Sequence, residues 1–331
     1  MSDAARVAVL KGGRSLERGV SLRSGAQVQS ALQRSGREVR GIDVGSSLVP
    51  ELMDMQPDAV FVALHGREGE DGTIQSLLES LALPYTGSGP SACMRCTDKA
   101  LAKYLMLDAG IPTPEFETLR ETAIRDLGAG AALGAIEYRL GFPMVVKPAH
   151  GGSALGVKFA SASPELPGAM VGAFSYDGTV LLERHIRGRD LAVSVIDTPH
   201  DGRGEEPPHA LPIVEAVPRG EEFYDYESRY EIGMTTFVCP AELAPETSAR
   251  AQQLAVQVYE LLGCHGFARV DLMLEHDTGE LWVLETNVVP GMTETSLLPQ
   301  AADAAGIDFE ELAERVLASA FTRTRSTSSV S

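Results

Sequence analysis

The sequence predicts a protein of mixed α/β and α+β class that opens on a parallel sheet. Three observations carry this. In the first hundred residues short apolar strands alternate with helices, the pattern of a parallel sheet with crossover helices. The glycine-rich stretch Lys147–Gly156 joins two strands rather than a strand and a helix. Phe267–Asn287 reads as a β-hairpin, with Val270, Leu272 and Leu274 alternating against Arg269, Asp271 and Met273 before the turn signal Asp277-Thr278-Gly279.

The elements follow in order. Arg6–Leu10 is a strand running into Gly12-Gly13, and a helix spans Leu22–Ser35, closed by Gly36. Strands are expected near Glu38–Val44 and Ala59–Leu64, then helices at Thr73–Leu83 and Ala92–Ala109. Ile111-Pro112-Thr113-Pro114 is a boundary that helices do not cross. Beyond it lie strands at Phe116–Leu119, Met144–Lys147, Val157–Ala160 and Val180–Leu182, with helices near Arg120–Leu127 and Pro164–Phe174. In the last block Asp201–Pro208 is an exposed hairpin loop. Pro245–Leu262 is the clearest helix, with Pro245 in its first turn, a stripe of Ala251, Leu254, Ala255, Val258, Leu261 and Leu262, and Gly263 at its end. Three units result, residues 1–98, 99–188 and 189–322, with 323–331 as a polar, disordered tail.

A formal net charge of −18 argues against nucleic acid or an anionic membrane as partner, since both need a basic face. No apolar run approaches membrane-spanning length and the N-terminus lacks a basic-then-apolar segment, so a cytoplasmic protein is expected. Cys93 and Cys96 form a lone C-x-x-C without the second pair zinc would want, so the thiols are read as small buried hydrophobes. Lysine occurs only at positions 11, 99, 103, 147 and 158 against many arginines, which gives the retained lysines weight.

Four segments carry candidate chemistry. A hairpin turn near Thr278 makes Asp271 and Glu285 cross-strand neighbours, with Asn287 on the same face. Like charges held opposite each other call for a cation between them, and an all-oxygen set beside a nucleotide suits Mg²⁺. In the Lys147–Gly156 loop, glycines let backbone N–H groups approach phosphate oxygens, as a lid over a triphosphate would; an ordinary glycine-rich hairpin is the plainer alternative. Lys11–Glu17 follows the first strand but fits neither phosphate-binding glycine pattern, so Glu17 stands there as a candidate for an ammonium. His65–Thr73 begins at the C-terminal end of a parallel strand, where open α/β sheets bind ligands.

Together these segments resemble the D-alanine–D-alanine ligases of the ATP-grasp superfamily. HGREGEDGTIQS at His65–Ser76, LGCHGFARVDLM at Leu262–Met273, ETNVVPG at Glu285–Gly291 and the loop FYDYESRY at Phe223–Tyr230 carry the likeness. It implies a three-domain ATP-grasp fold with an N-terminal parallel α/β domain, and ATP-dependent joining of two D-alanines through an acyl phosphate, for peptidoglycan precursors. It further implies that Lys99 and Lys147 contact phosphates, that Glu183, Arg184 and Ile186 border the adenine, and that Asp190 holds the ribose. Asp271, Glu285 and Asn287 would bind two Mg²⁺, with Mn²⁺ able to replace it. Glu17, in a network with Ser153 and Tyr230, would hold the first D-alanine's ammonium near His65; Arg229, beside Tyr230, is counted with the nucleotide contacts. Arg269 and the Gly291 amide would stabilise the oxyanion, and Ser296 and Leu297 would shape the second pocket. A homodimer is implied in the same way.

The chain departs from the family's pattern at Arg184 and Arg229, often Lys, and at Asp190, often Glu. Gly151 and Ala154 in the lid loop, and Thr286 and Val288 around Asn287, depart as well. Tyr230 resembles the dipeptide-forming enzymes, which favours D-alanine over D-lactate as second substrate. An ATP-grasp ligase of other specificity and a non-catalytic nucleotide-binding relative are the rivals.

Overall fold

The computed structural model of the chain describes residues 5–198, 207–218 and 235–328. The first unit is built on β1 (Arg6–Lys11), α1 (Arg18–Arg34), β2 (Glu38–Asp43), α2 (Leu48–Met55), β3 (Ala59–Val62) and α3 (Thr73–Ser80). Its strands pair in parallel in the order β2-β1-β3. Strand residues alternate between two cores, as a period of two requires. Val7, Val9, Ala59 and Phe61 face α1 through Val28, Ala31 and Leu32. Ala8, Leu10, Val60 and Val62 face α2 and α3 through Leu48, Leu52, Ile74 and Leu78. Both faces are covered, as parallel sheets demand. Gly25 lets α1 lie close on β1, since a β-carbon there would sit 2.5 Å from Lys11 Cβ.

One long helix is expected over Ala92–Ala109, but two are found, α4 (Pro90–Thr97) and α5 (Lys99–Asp108). Asp98 breaks them: its backbone is extended and its carboxylate accepts from the Leu101 N–H at 3.0 Å, capping α5. The second unit then adds β4 (Phe116–Arg120), α6 (Glu121–Leu127), α7 (Leu133–Leu140), β5 (Met144–Pro148), β6 (Lys158–Ala160), α8 (Leu166–Phe174) and β7 (Thr179–Arg184). Its antiparallel sheet runs β4-β7-β5-β6. Met144, Val146, Val180 and Leu182 pack one face of it on α7 and α8. On the other face Val145 and Phe159 pack with Ala154 and Val157 of the loop between β5 and β6.

The third unit holds β8 (Gly188–Ile196), β9 (His209–Ala210), β10 (Val214–Pro218), β11 (Thr235–Val238), α9 (Pro245–Leu262), β12 (Phe267–Glu275), β13 (Leu281–Asn287), α10 (Leu297–Ala304) and α11 (Phe309–Ser328). The main path of its antiparallel sheet is β11-β10-β8-β12-β13. Helix α9 starts and ends where the sequence places it, with Gly263 at φ +68° closing it. Helix α11 crosses back to the first unit. Leu312, Ala313, Val316, Leu317 and Ala320 share the core of Val7, Val9 and Phe61, and Arg34–Glu310 (2.6 Å) and Arg37–Glu314 (2.8 Å) pair α11 with the end of α1. It runs to Ser328, so within the described residues the segment expected to be a disordered tail is helical. Most of the expected loop at Asp201–Pro208 and all of Phe223–Tyr230 lie outside the described residues.

Candidate active site

The β12–β13 hairpin supplies one wall. Asp271 stands opposite Glu285, Arg269 opposite Asn287, and the register shifts after Asp271 so that Leu272 meets Val283. This bulge leaves Leu284 unpaired and turns it into the cleft, where it packs with Ile186 and Met273. Arg269 donates from Nε and Nη2 to the two carboxylate oxygens of Asp271 at 2.7 and 2.9 Å, and both residues are buried. Glu285 lies 3.7 Å from Lys99 Nζ. Asn287 Oδ1 accepts from the Val289 N–H at 2.9 Å, which fixes the amide.

The opposite wall is the open face of the second sheet with its lid loop. Lys147 at the end of β5 donates to Glu183 Oε1 at 2.6 Å, and Lys103 on α5 reaches Glu183 Oε2 at 3.0 Å. Burial would raise the Glu183 carboxyl, but the two ammoniums outweigh it and hold it down at about 2. Between the walls runs a cleft lined by Lys99, Lys147, Glu183, Arg184, Ile186 and Glu285, among others. Arg184 lies over the Trp282 ring, 4.8 Å from its centroid, and pairs with Glu275 at 3.1 Å. Asp190 is buried in β8 opposite Met273, a cleft residue, which puts it on the cleft side of the sheet though it does not line the cleft itself.

The lid loop is tied down along its first half. The Lys99 N–H donates to Ala149 O at 3.0 Å and Lys99 Nζ to Gly151 O. His150 donates twice to one carboxylate: its backbone N–H and its ring Nδ1 lie 2.9 and 2.8 Å from Asp177 Oδ2. That hydrogen bond, the first cause, raises the His150 pKa. Gly151 (φ +99°), Ser153 (+52°) and Ala154 (+56°) all take left-handed backbone. At Ser153 and Ala154 this is a strained choice for residues with a β-carbon. It aims the Ser153 hydroxyl at Glu17, and the two side chains are hydrogen-bonded.

Glu17 is thus reached from the lid across the mouth of the cleft. Its pKa is raised to about 7, first by burial and then by the nearby Glu70 carboxylate, against the Ser153 hydrogen bond, His65 and Lys99. His65 is held from both ring nitrogens, by Val289 O at 3.0 Å and Ser24 Oγ at 2.9 Å, and Glu70 lies 3.8 Å from its Nδ1. Ser24 also accepts from the Met292 N–H at 3.1 Å, so one hydroxyl on α1 ties His65 to the Gly291–Met292 turn. A β-carbon on Gly291 would sit 2.5 Å from Ser296 Oγ, so only glycine lets this turn close. Ser296 Oγ accepts from the Thr293 N–H at 3.0 Å. Leu297 is buried in the core with Met292 and Leu298.

A second hollow, lined by Glu70, Lys99, Gly152, Ser153, Arg269, Glu285, Thr286 and Asn287 among others, continues the first cleft. The structure therefore gathers Glu17, Ser153, Lys99, Lys147, Glu183, Arg269, Glu285 and Asn287 around one space. Tyr230 and Arg229 lie outside the described residues. Val288 is buried in the core behind β13, and Thr286 Oγ1 has no hydrogen-bond partner among the described residues. Cys93 and Cys96 are buried as expected, with Cys96 Sγ 3.7 Å from Cys264 Sγ. Glu70 and Ser24 belong to the site and Lys103 lies buried behind it, and none of the three was singled out as a site residue by the sequence.

Among the described residues no cluster of three or more His, Cys, Asp and Glu side chains is poised for a metal. The hairpin donors nonetheless suit Mg²⁺: two carboxylates and an amide, all oxygen, with lone pairs left beyond those used by Arg269 and Val289.

Known proteins match this chain throughout. The profile of the D-ala D-ala ligase C-terminus matches residues 105–318 and that of the D-ala D-ala ligase N-terminus residues 45–88. A D-alanine–D-alanine ligase of Syntrophotalea carbinolica is 43% identical over 318 residues, 96% of this chain and 97% of that protein. The chain belongs to the D-alanine–D-alanine ligase family. Among solved structures, the family's Bacillus anthracis enzyme, complexed with ATP, superposes with a TM-score of 0.81 at 33% identity, over 98% of this chain and 100% of that one. The VanG D-Ala:D-Ser ligase of Enterococcus faecalis gives 0.79 at 25% identity, over 96% and 99%. Among the described residues no helix is long and apolar enough to cross a membrane.

Proposed function

We propose that this chain joins two D-alanines into D-alanyl-D-alanine, with ATP converted to ADP and phosphate, and that the roles fall on the residues gathered around the cleft. The observation that carries the reading is the hairpin face of Arg269, Asp271, Glu285 and Asn287 set against the Lys147 and Ser153 lid. Glu183, Arg184 and Ile186 border the adenine and Asp190 the ribose, while Lys99 and Lys147 meet the phosphates. Asp271, Glu285 and Asn287 would hold Mg²⁺, whose chemistry when bound is to neutralise charge on the phosphate oxygens.

The first D-alanine lies with its ammonium on Glu17, fixed by Ser153 and flanked by His65. Its carboxylate attacks the terminal phosphorus, ADP leaves and an acyl phosphate forms. Lys99 and Lys147 offset the charge of an anion attacking an anion. The acyl phosphate hydrolyses in water, so the lid tied to Lys99 and Asp177 protects it. The amine of the second D-alanine, deprotonated, then attacks the acyl carbon. The oxyanion that forms is met by Arg269 and the Gly291 amide, phosphate leaves, and the dipeptide remains. Ser296 and Leu297 sit at the second subsite, Ser296 through its hydroxyl and Leu297 by fixing the start of α10. A cytoplasmic homodimer is part of the same proposal.

Mg²⁺-dependent phosphate release from ATP, measured with D-alanine, L-alanine, or D-alanine plus D-lactate and with products weighed by mass, tests the reading. Release with D-alanine alone, yielding the dipeptide, is expected; ATP binding without release in any mixture would sink it. The VanG enzyme's name says that the second substrate varies within this fold. Tyr230→Phe is expected to raise ester over amide product in the D-lactate mixture several-fold, and an unchanged ratio would remove Tyr230 from that choice.

A further inference from the structure

We infer that Lys103 is a positioning residue for Glu183, and so sets how tightly and how selectively the cleft holds the adenine ring. The inference rests on the proposal that Glu183 borders the adenine. Lys103 is 0% exposed. Its Nζ donates to Thr113 Oγ1 at 2.6 Å and to Pro114 O at 3.1 Å, and forms an ion pair with Glu183 Oε2 at 3.0 Å. The Phe116 ring closes a further side, its centroid 5.1 Å away.

An ion pair this deep is weak evidence of stability, because a well-packed hydrophobic residue serves as well or better. What an apolar side chain cannot do is fix a carboxylate's orientation. Glu183 is gripped at both oxygens, Oε2 by Lys103 from α5 and Oε1 by Lys147 from β5. The two cations leave Glu183 ionised, and it lines the cleft wall beside Ile186. An acceptor held there suits the exocyclic amine of adenine and repels the carbonyl that hypoxanthine carries instead.

The clamp is also anchored beyond the nucleotide. Thr113 accepts from Lys103 and donates to Val283 O at 2.8 Å, so the carboxylate's position is referred to the β13 strand that carries Glu285. Lys99 stands one turn earlier on α5 and reaches the lid and Glu285. One helix face therefore sends one lysine to the base and one to the phosphate end.

Four variants in steady-state assays with ATP and inosine triphosphate test this. In Lys103→Met the KM for ATP is expected to rise about tenfold or more, with kcat and the D-alanine KM within threefold and the ATP-over-ITP preference falling by a similar factor. Thr113→Val, which keeps every charge, moves the same two readouts less, and Thr113→Ser restores them. Glu183→Gln separates the premise from the inference: an unchanged ATP-over-ITP preference there removes Glu183 from the adenine. If Glu183→Gln shifts the preference while Lys103→Met and Thr113→Val only lower the melting temperature, Lys103 is structural and the inference fails. Should Lys103→Met not fold, the Thr113 pair decides alone.

Discussion

Glu285→Gln abolishes Mg²⁺-dependent turnover, by about 10³-fold, while the protein stays folded. The two hairpin acids differ in surroundings, and this makes Glu285 the cleaner probe. Asp271 is fully buried and doubly bonded to a buried guanidinium. Replacing it by Asn costs activity, but also removes the carboxylate facing Arg269, a change worth about 3–5 kcal/mol of stability for a buried pair. Glu285 has Lys99 at 3.7 Å, beyond hydrogen-bond distance, and lines the cleft, so its loss costs less stability than that of Asp271. Turnover and thermal unfolding measured on both variants check this. Near-normal Mg²⁺-dependent turnover in both would remove the metal assignment.

Glu17→Gln loses about 10²-fold in kcat/KM for D-alanine and gains stability at pH 8. The carboxyl titrates at 4.5 when unperturbed and at about 7 in the fold. Between those values the folded state keeps a proton that the unfolded chain has released, so this group's contribution to stability falls as pH rises through the window. Above pH 7 the whole cost is present, on the order of 3 kcal/mol at most. A neutral amide is free of it. Denaturant midpoints at pH 5 and pH 8 test the sign: the variant's advantage must be larger at pH 8. An ammonium placed against Glu17 would relieve the same cost, which is how a site can hold its charge in readiness for a substrate.

Much of the site was legible because its residues lie on regular elements with local signals. A turn centred on Thr278 sets Asp271 opposite Glu285, as found, but the pairing is reached through the bulge, since the register Leu274–Leu281 next to the turn would alone bring Leu284 there. The bulge that aims Leu284 into the cleft was not legible, since nothing in LWVLETN marks where a strand gains a residue. Asp98 shows another limit: in an uninterrupted helical pattern, a capping carboxylate is indistinguishable from a surface acid until its backbone is seen. Lys103 stood out only as one of five lysines, because Glu183 is 80 positions away in the chain. Glu70 was hidden among Glu68 and Asp71, and only burial distinguishes it. Ser24 gave no signal; a serine inside a helix reads as solvated until His65 and Met292 are found on it. Tertiary partners, not spacing, define these three.

The return of α11 to the first sheet has a consequence for how the protein is made. Val7, Val9 and Phe61 leave the ribosome early together with α1, yet the helix that completes their cover begins at Phe309. At ordinary rates of synthesis that apolar face waits on the order of tens of seconds for its cover. Chains arrested before Phe309 should therefore be cleaved by protease within the first unit, where completed chains resist; equal resistance would mean the sheet closes without α11. Glu17 and His65 ride on that unit, so the pocket proposed for the first substrate is expected to become firm only after α11 has docked.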